Sequence, residues 1–202
     1  MGEVRIRWAK VEDARGVALV HVHSWQVAYK GLIDQAVLDA QQVDQRTAAW
    51  TQWITCSIAD LPTDRGASKA HRLLVAEEDR RIVGWASFGA GRDEGMHDMG
   101  ELAGLYVHPE FWSQGVGHAL ISRVESELRD DQQREAYLWV LQGNDRASLF
   151  YERHGWKADG VEKIGDAGGA RELRELRHVR RLAATSAEAS SKFKRESPIW
   201  RP

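Results

Sequence analysis

The residues most able to do chemistry in this 202-residue chain fall into a few short runs. Gly115-Val-Gly117 opens a stretch whose apolar residues recur at helical spacing. Glycine disfavours helix, so two at a helix start point to bare backbone N–H groups at the positive end of the helix dipole, a place that suits an anion. A dinucleotide fingerprint would put a third glycine where Leu120 stands, and a Walker loop would continue with Lys and Ser or Thr, which are absent. Asn144 and Tyr151 are seven residues apart, about two helical turns, and so can share a face. Their carboxamide and phenol could grip a polar ligand and give it a proton; equally, Asn144 could cap the helix while Tyr151 packs with Phe150. His21-Val-His23 invites a zinc reading, but residues two apart on a helix point different ways and no further ligand set is visible, so no metal is expected. Cys56 has no discernible partner, and the absence of a Gly-x-Ser-x-Gly elbow disfavours a serine hydrolase.

The elements that must position these residues follow from the patterning. Residues 4–8 alternate and read as a strand. An amphipathic helix runs from Asp13 to about Gly31, and a second helical stretch runs from about Asp34 through Trp53. Residues 61–69 are rich in turn formers and read as a loop. Residues 71–76 and 81–88 flank the polar turn Glu77-Glu-Asp-Arg80 and make a hairpin, and residues 89–100 form a loop. Residues 102–107 are a third strand, stopped by Pro109. From Gly115, Val116, Leu120, Val124 and Leu128 form one buried stripe of a helix that ends at Asp130-Asp131. Residues 136–141 are a strand and 146–154 a short helix closed by Gly155. Leu173, Leu176, Val179 and Leu182 recur every three positions, so pattern alone makes residues 171–182 a helix. Residues 183–202, rich in alanine and serine, read as a mobile tail. This order implies one mixed α/β (α+β) domain over residues 1–182.

Bulk properties narrow the function. A formal net charge of −2 gives no support to a nucleic-acid partner, which would show as a concentrated basic surplus. No apolar run approaches the ~20 residues that cross a bilayer, so no membrane association is expected. The start of the chain lacks the apolar core of a secretory signal, and a single cysteine fits a reducing cytoplasm. Nine tryptophans are many, but they are scattered from Trp8 to Trp200 and read individually as core or rim residues.

Taken together, Leu105-Tyr-Val-His-Pro109, Gln114-Gly-Val-Gly-His-Ala-Leu120 and the run from Asn144 through Trp156 resemble the GNAT superfamily of acetyl-coenzyme A-dependent N-acetyltransferases. The resemblance runs from Val4 to about Leu182. It implies a central, mostly antiparallel sheet that splays apart beside the cofactor, flanked by helices, and makes residues 171–179 a strand against their helical period. It places the pantetheine arm along the backbone of Leu105, Tyr106 and Val107, and the pyrophosphate on the N–H groups of Gln114, Gly115, Val116, Gly117 and His118. Asn144 resembles the asparagine beside the cofactor, and Tyr151 the tyrosine near its sulfur. The chain departs from the family loop at Trp112, where Gln or Arg is common, and at Ser113, where glycine is frequent.

The implied reaction is direct acyl transfer with acetyl-coenzyme A as cosubstrate. The Val107 N–H is the expected donor to the oxyanion and Tyr151 the acid for the departing thiolate. Since an amine of lysine-like pKa is less than about one part in a thousand neutral at pH 7, a base matters. Glu101 is the leading candidate, ahead of Asp98 and His97: counting by twos, it shares a strand face with Ala103, Leu105 and Val107, and it resembles a glutamate that many family members carry, although it could equally be a solvated carboxylate at a strand end. Trp25 and Tyr29, four apart, could wall an acceptor pocket or belong to the core. The leading expectation is a small-molecule amine acceptor. Alternatives are a protein N-terminal or lysine acetyltransferase and, from another class, a non-catalytic acyl-coenzyme A sensor; a homodimer is left open.

Overall fold

The structure, a computed structural model, describes residues 2–63 and 70–182. The expected tail at 183–202 and most of the expected loop at 61–69 lie outside the described residues. Among the described residues seven strands form one sheet: β1 (Arg5–Trp8), β2 (Arg72–Glu78), β3 (Arg81–Ala90), β4 (Gly100–Val107), β5 (Glu135–Leu141), β6 (Lys157–Ala167) and β7 (Ala170–Arg181), in the order β1-β2-β3-β4-β5-β7-β6. Every neighbouring pair is antiparallel except β4 and β5. Helices α1 (Ala14–Ala28) and α3 (Val43–Ile58) cover one face, and α4 (Val116–Asp130) covers the other. Short α2 (Gln35–Asp39) and α5 (Asp145–Arg153) complete the set.

Each face has its own core. Val116, Leu120, Ile121, Val124 and Leu128 of α4 are buried against Leu74, Ala86, Phe88 and Leu138, as the four-residue period requires. On the other face Val17, Val20, Trp50 and Ile54 pack on Leu73, Val75 and Trp85. β3 is buried on both sides, which is why its sequence is continuously apolar rather than alternating.

Three segments differ from their sequence patterns. The stretch expected as one helix from Asp34 is two, because Leu38 of α2 belongs to a third cluster with Trp25, Ile33 and Ala170 while Trp50 and Ile54 of α3 serve the α1 core. The chain must turn between them, and Gln41 at that turn donates to the Gly168 carbonyl at 2.7 Å. Residues 171–181 lie in β7, and so form the strand that the resemblance implied for 171–179 rather than the helix of the threefold leucine spacing. The inward charged residues of β7 are paired, Arg180 with Glu125 at 2.7 Å and Arg177 with Asp159 at 2.7 Å, which hides the strand from a hydrophobicity pattern. β6 is an edge strand exposed along nearly its whole length, so it carried no apolar alternation to find.

Candidate active site

β4 and β5 pair only at Gly100 with Ala136 and Glu101 with Tyr137, then diverge. The wedge between them is a cleft of about 1310 Å³ lined by Leu105–Val107, the start of α4, α5, the ends of β5 and β6, and Glu175 in the middle of β7. The register fixes which backbone groups face it. Gly84 stands opposite Val107, while the next N–H, that of His108, donates to the Val83 carbonyl at 2.8 Å. Gly84 and Val107 are therefore a non-hydrogen-bonded pair, and the N–H and C=O groups of Leu105 and Val107 point away from β3 into the gap. The Val107 carbonyl is already engaged by Ser24 Oγ at 3.0 Å and the Trp112 indole N–H at 2.7 Å. Its N–H has no sheet partner among the described residues.

The sheet-to-helix junction presents main-chain N–H groups to the cleft. Gly115 adopts a left-handed backbone (φ 84°) that glycine alone takes without strain. The first bond of α4 is Ala119 N–H to Gly115 C=O at 3.0 Å, so the N–H groups of Val116, Gly117 and His118 have no acceptor within the helix. Gly115, Gly117 and His118 line the cleft. Gln114 and Val116 offer main chain only: the Gln114 side-chain amide donates to the Glu110 carbonyl at 2.6 Å, and the Val116 side chain is buried in the α4 core. A Cβ on Gly117 would come within 3.1 Å of the Phe150 ring, so this glycine is also where α4 and α5 approach each other. These donors fit the pyrophosphate of a coenzyme A molecule. Trp112, where the loop departs from the family pattern, ties the loop to the end of β4 through its indole, and the Arg146 guanidinium lies 3.5 Å over its ring.

α5 brings the next two residues. Asn144 caps the helix, its Oδ1 accepting from Ala147 N–H at 3.2 Å, which leaves its side-chain NH2 on the cleft wall. Tyr151 is 8% exposed and lines the cleft. Burial, and next the Tyr106 phenol nearby, push its pKa well above the ordinary phenol value, so it stays protonated as a donor.

The opposite mouth of the cleft is set by a β-bulge. Phe88 opposes Leu102 but Ser87 opposes Gly104, so Ala103 is an extra residue in β4. This corrects the count by twos: Glu101 shares a face with Gly104 and Tyr106, not with Leu105 and Val107. That face is the α1 side of the sheet. There Glu101 is 3% exposed and held by Arg92, whose Nη2 and Nε donate to its two oxygens at 2.8 and 2.9 Å and whose backbone N–H adds a third bond at 3.1 Å. Tyr29 lines the cleft and meets the Tyr106 hydroxyl at 3.1 Å. Trp25 does not line it: its indole donates to Tyr106 at 3.1 Å, and its ring packs against Gly168, a core position. Sequence reasoning passed over Glu175 of β7 and Lys163 of β6, which also line this mouth, with Nζ 3.7 Å from the Glu175 carboxylate. Nothing in their local sequence marks them; only the pairing of β6 with β7 brings them to the cleft.

The two histidines considered for zinc are apart. His21 accepts from the Trp50 indole at 3.2 Å within an aromatic cluster, and burial pulls its pKa down to about 3. His23 Nδ1 meets His108 Nε2 at 2.9 Å.

A family model described as acetyltransferase (GNAT) family matches residues 36–156, more than half of the chain. The chain belongs to the GNAT acetyltransferase family. It is an acyltransferase that draws on acetyl-coenzyme A. The uncharacterized N-acetyltransferase YuaI of Bacillus subtilis is 27% identical over 151 residues, 75% of this chain and 79% of that protein. The L-amino acid N-acyltransferase MnaT of Escherichia coli is 32% identical over 127 residues, 62% of this chain and 63% of that protein. Among solved structures, the PaiA N-acetyltransferase from Thermoplasma acidophilum in complex with coenzyme A superposes with a TM-score of 0.68 at 19% identity, covering 89% of this chain and 99% of that one. YncA from Salmonella typhimurium with acetyl-CoA gives 0.65 at 21% identity, covering 91% and 96%. The GNAT fold, a splayed and mostly antiparallel sheet flanked by helices, is thus the fold of this chain.

Proposed function

We propose that this GNAT enzyme transfers the acetyl group to a primary amine of a small molecule. The observation that carries the acceptor class is the docking of the β6–β7 turn onto α1 and α2. Gly168 packs against the Trp25 ring closely enough that a Cβ there would lie 2.4 Å from it, and its carbonyl accepts from Gln41 at 2.7 Å. Asp166 and Ala167, which lead into that turn at the end of β6, and Tyr29 just after α1 line the same cleft. The acceptor mouth is therefore walled on both sides, where a peptide would need an open, elongated groove. The name of the relative MnaT, an L-amino acid N-acyltransferase, agrees with a small acceptor.

The roles follow from the geometry. The acetyl thioester supplies the acyl group. The N–H groups at the start of α4 hold the pyrophosphate, the main chain of Leu105–Val107 runs beside the pantetheine arm, and the Asn144 NH2 steadies that arm from the other wall. The free Val107 N–H receives the charge that develops on the thioester carbonyl oxygen. The Trp112 and Ser24 bonds to the Val107 carbonyl fix the orientation of that peptide unit. The protonated Tyr151 phenol gives a proton to the departing sulfur. Glu101, its charge balanced by Arg92, fixes that guanidinium at the acceptor mouth.

Thiol release from acetyl-coenzyme A, measured across a panel of small amines and short peptides, tests the acceptor class. Small amines are expected to give kcat/KM at least about tenfold above any peptide amino terminus or lysine. The reverse order overturns the reading.

A further inference from the structure

We propose that Glu175 is the general base that takes the proton from the acceptor amine. The inference rests on the acetyltransferase reading above. Three carboxylates besides Glu175 lie at or beside the acceptor mouth, and each is engaged. Glu101 accepts three bonds from Arg92. Asp166 accepts the Glu172 N–H at 3.0 Å, and Asp93 accepts the Trp139 indole N–H at 2.8 Å. Among the described residues the cation facing Glu175 is Lys163, whose Nζ stands off at 3.7 Å, a longer and looser contact than those that hold the other three.

Position agrees with the role. Glu175 pairs with Leu141 across β5–β7 and with Lys163 across β6–β7, so its side chain shares a sheet face with Trp139, whose ring carries Lys163 at 4.3 Å. This is the face to which the Ala103 bulge turns Glu101 and Tyr106. Tyr151 and the start of α4 belong to the opposite face of the sheet, in the α4 core. An amine seated between Glu175 and the thioester thus meets a proton acceptor on its own side and the proton donor on the far side.

The charged and titratable groups around Glu175 are Lys163 and Asp166 from β6, Arg177 on β7, Asp93 and Arg92 from the β3–β4 loop, Glu101 and Tyr106 of β4 and Tyr29 just after α1. Burial raises the Glu175 pKa above the ordinary carboxylate value; Lys163 opposes the rise, and Asp93 and Glu101 add to it. A raised value brings a carboxylate nearer to neutral pH, where a base is most effective. The Lys163 ammonium in turn keeps the ionised form populated.

The protons balance. The incoming ammonium loses one proton to Glu175, which passes it to solvent. The amine nitrogen bonds to the acyl carbon and the C–S bond breaks. The proton that Tyr151 gives the sulfur is replaced by the second one shed by the new amide nitrogen. The net products are amide, free thiol and one proton.

The test is a pH–rate profile of wild type, Glu175→Gln, Glu175→Asp and Glu101→Gln with the best small amine. It is accompanied by calorimetric titration of coenzyme A and a carboxyl-resolved NMR titration of the free protein. Glu175→Gln is expected to bind coenzyme A as wild type does, to lose roughly 100-fold in kcat/KM, and to lose the acidic limb of the profile. That limb's midpoint should match the Glu175 resonance, and Glu175→Asp should retain the limb at a reduced rate. An unchanged limb in Glu175→Gln, or its loss in Glu101→Gln alone, overturns the proposal. If Glu175→Gln fails to bind coenzyme A, the aspartate variant decides, and absence of the limb there is the overturning result. Coenzyme binding without thiol release by wild type for any amine would instead bring down the acetyltransferase reading, and the base with it.

Discussion

Tyr151, proposed above as the acid for the departing thiolate, lines the cleft in an environment that keeps it protonated. Burial lifts the phenol well above its usual range, so it remains neutral through the whole span in which an amine acceptor becomes reactive. A coenzyme thiol, with an ordinary pKa of about 8.5, leaves tolerably well even unassisted. The acid should therefore contribute at the low end of the usual range. Tyr151→Phe is expected to lower kcat by about 100-fold while coenzyme affinity by calorimetry stays within about twofold. Undiminished turnover would show that the sulfur takes its proton elsewhere. The phenol should also add no alkaline limb to the profile below about pH 10, because a raised pKa postpones its ionisation.

At the scale of elements, what was legible in the sequence is what lies within one element. Gly115, Gly117, Asn144 and Tyr151 stand in short runs whose spacing alone sets their geometry, and the structure puts Gly115, Gly117, Asn144 and Tyr151 along one cleft. What depends on pairing between elements could not be seen. The Ala103 bulge inverts the face of Glu101 through a register shift that leaves no local mark. Glu175 reaches the cleft only because β7 inserts between β5 and β6. The threefold leucine period of β7 misled because its inward residues are ion-paired arginines and His178 rather than alternating aliphatics. The element with the sharpest consequence is the start of α4. Gly117→Glu adds a carboxylate beside N–H groups suited to phosphate and a Cβ that crowds Phe150 at 3.1 Å. Gly117→Ala adds only the crowding. Calorimetry should find coenzyme A affinity down at least about 100-fold in the glutamate variant and within about tenfold of wild type in the alanine variant. Equal losses would mean that packing against α5, not charge at the helix start, controls the site.

The molecule as a whole is a sheet joined in two parts at its weakest ladder. β1 to β4 with α1, α3 and α4 form one part and β5 to β7 with α5 the other, and β4 and β5 share only two residue pairs. Side chains reinforce the joint, among them Trp156 donating to Glu125 of α4 at 3.0 Å and Trp139 donating to Asp93 at 2.8 Å. A coenzyme in the cleft would touch β4 and α4 on one side and α5 on the other, and so would tie the parts together in the folded state only. Binding restricted to the folded state stabilises by about 2.7 kcal/mol at a hundred times Kd. For a chain of this size each kcal/mol is about 2–4 °C in Tm, so the melting point should rise by roughly 5–10 °C. Scanning calorimetry with coenzyme A reads this directly. Adenosine, which lacks the pyrophosphate and the arm, should give little of the shift, and Gly117→Glu should abolish it while Tyr151→Phe keeps it. A protein that melts at the same temperature with and without saturating coenzyme A would place the carrier outside this gap, because no ligand bridging both parts of the sheet could leave their joint unstabilised.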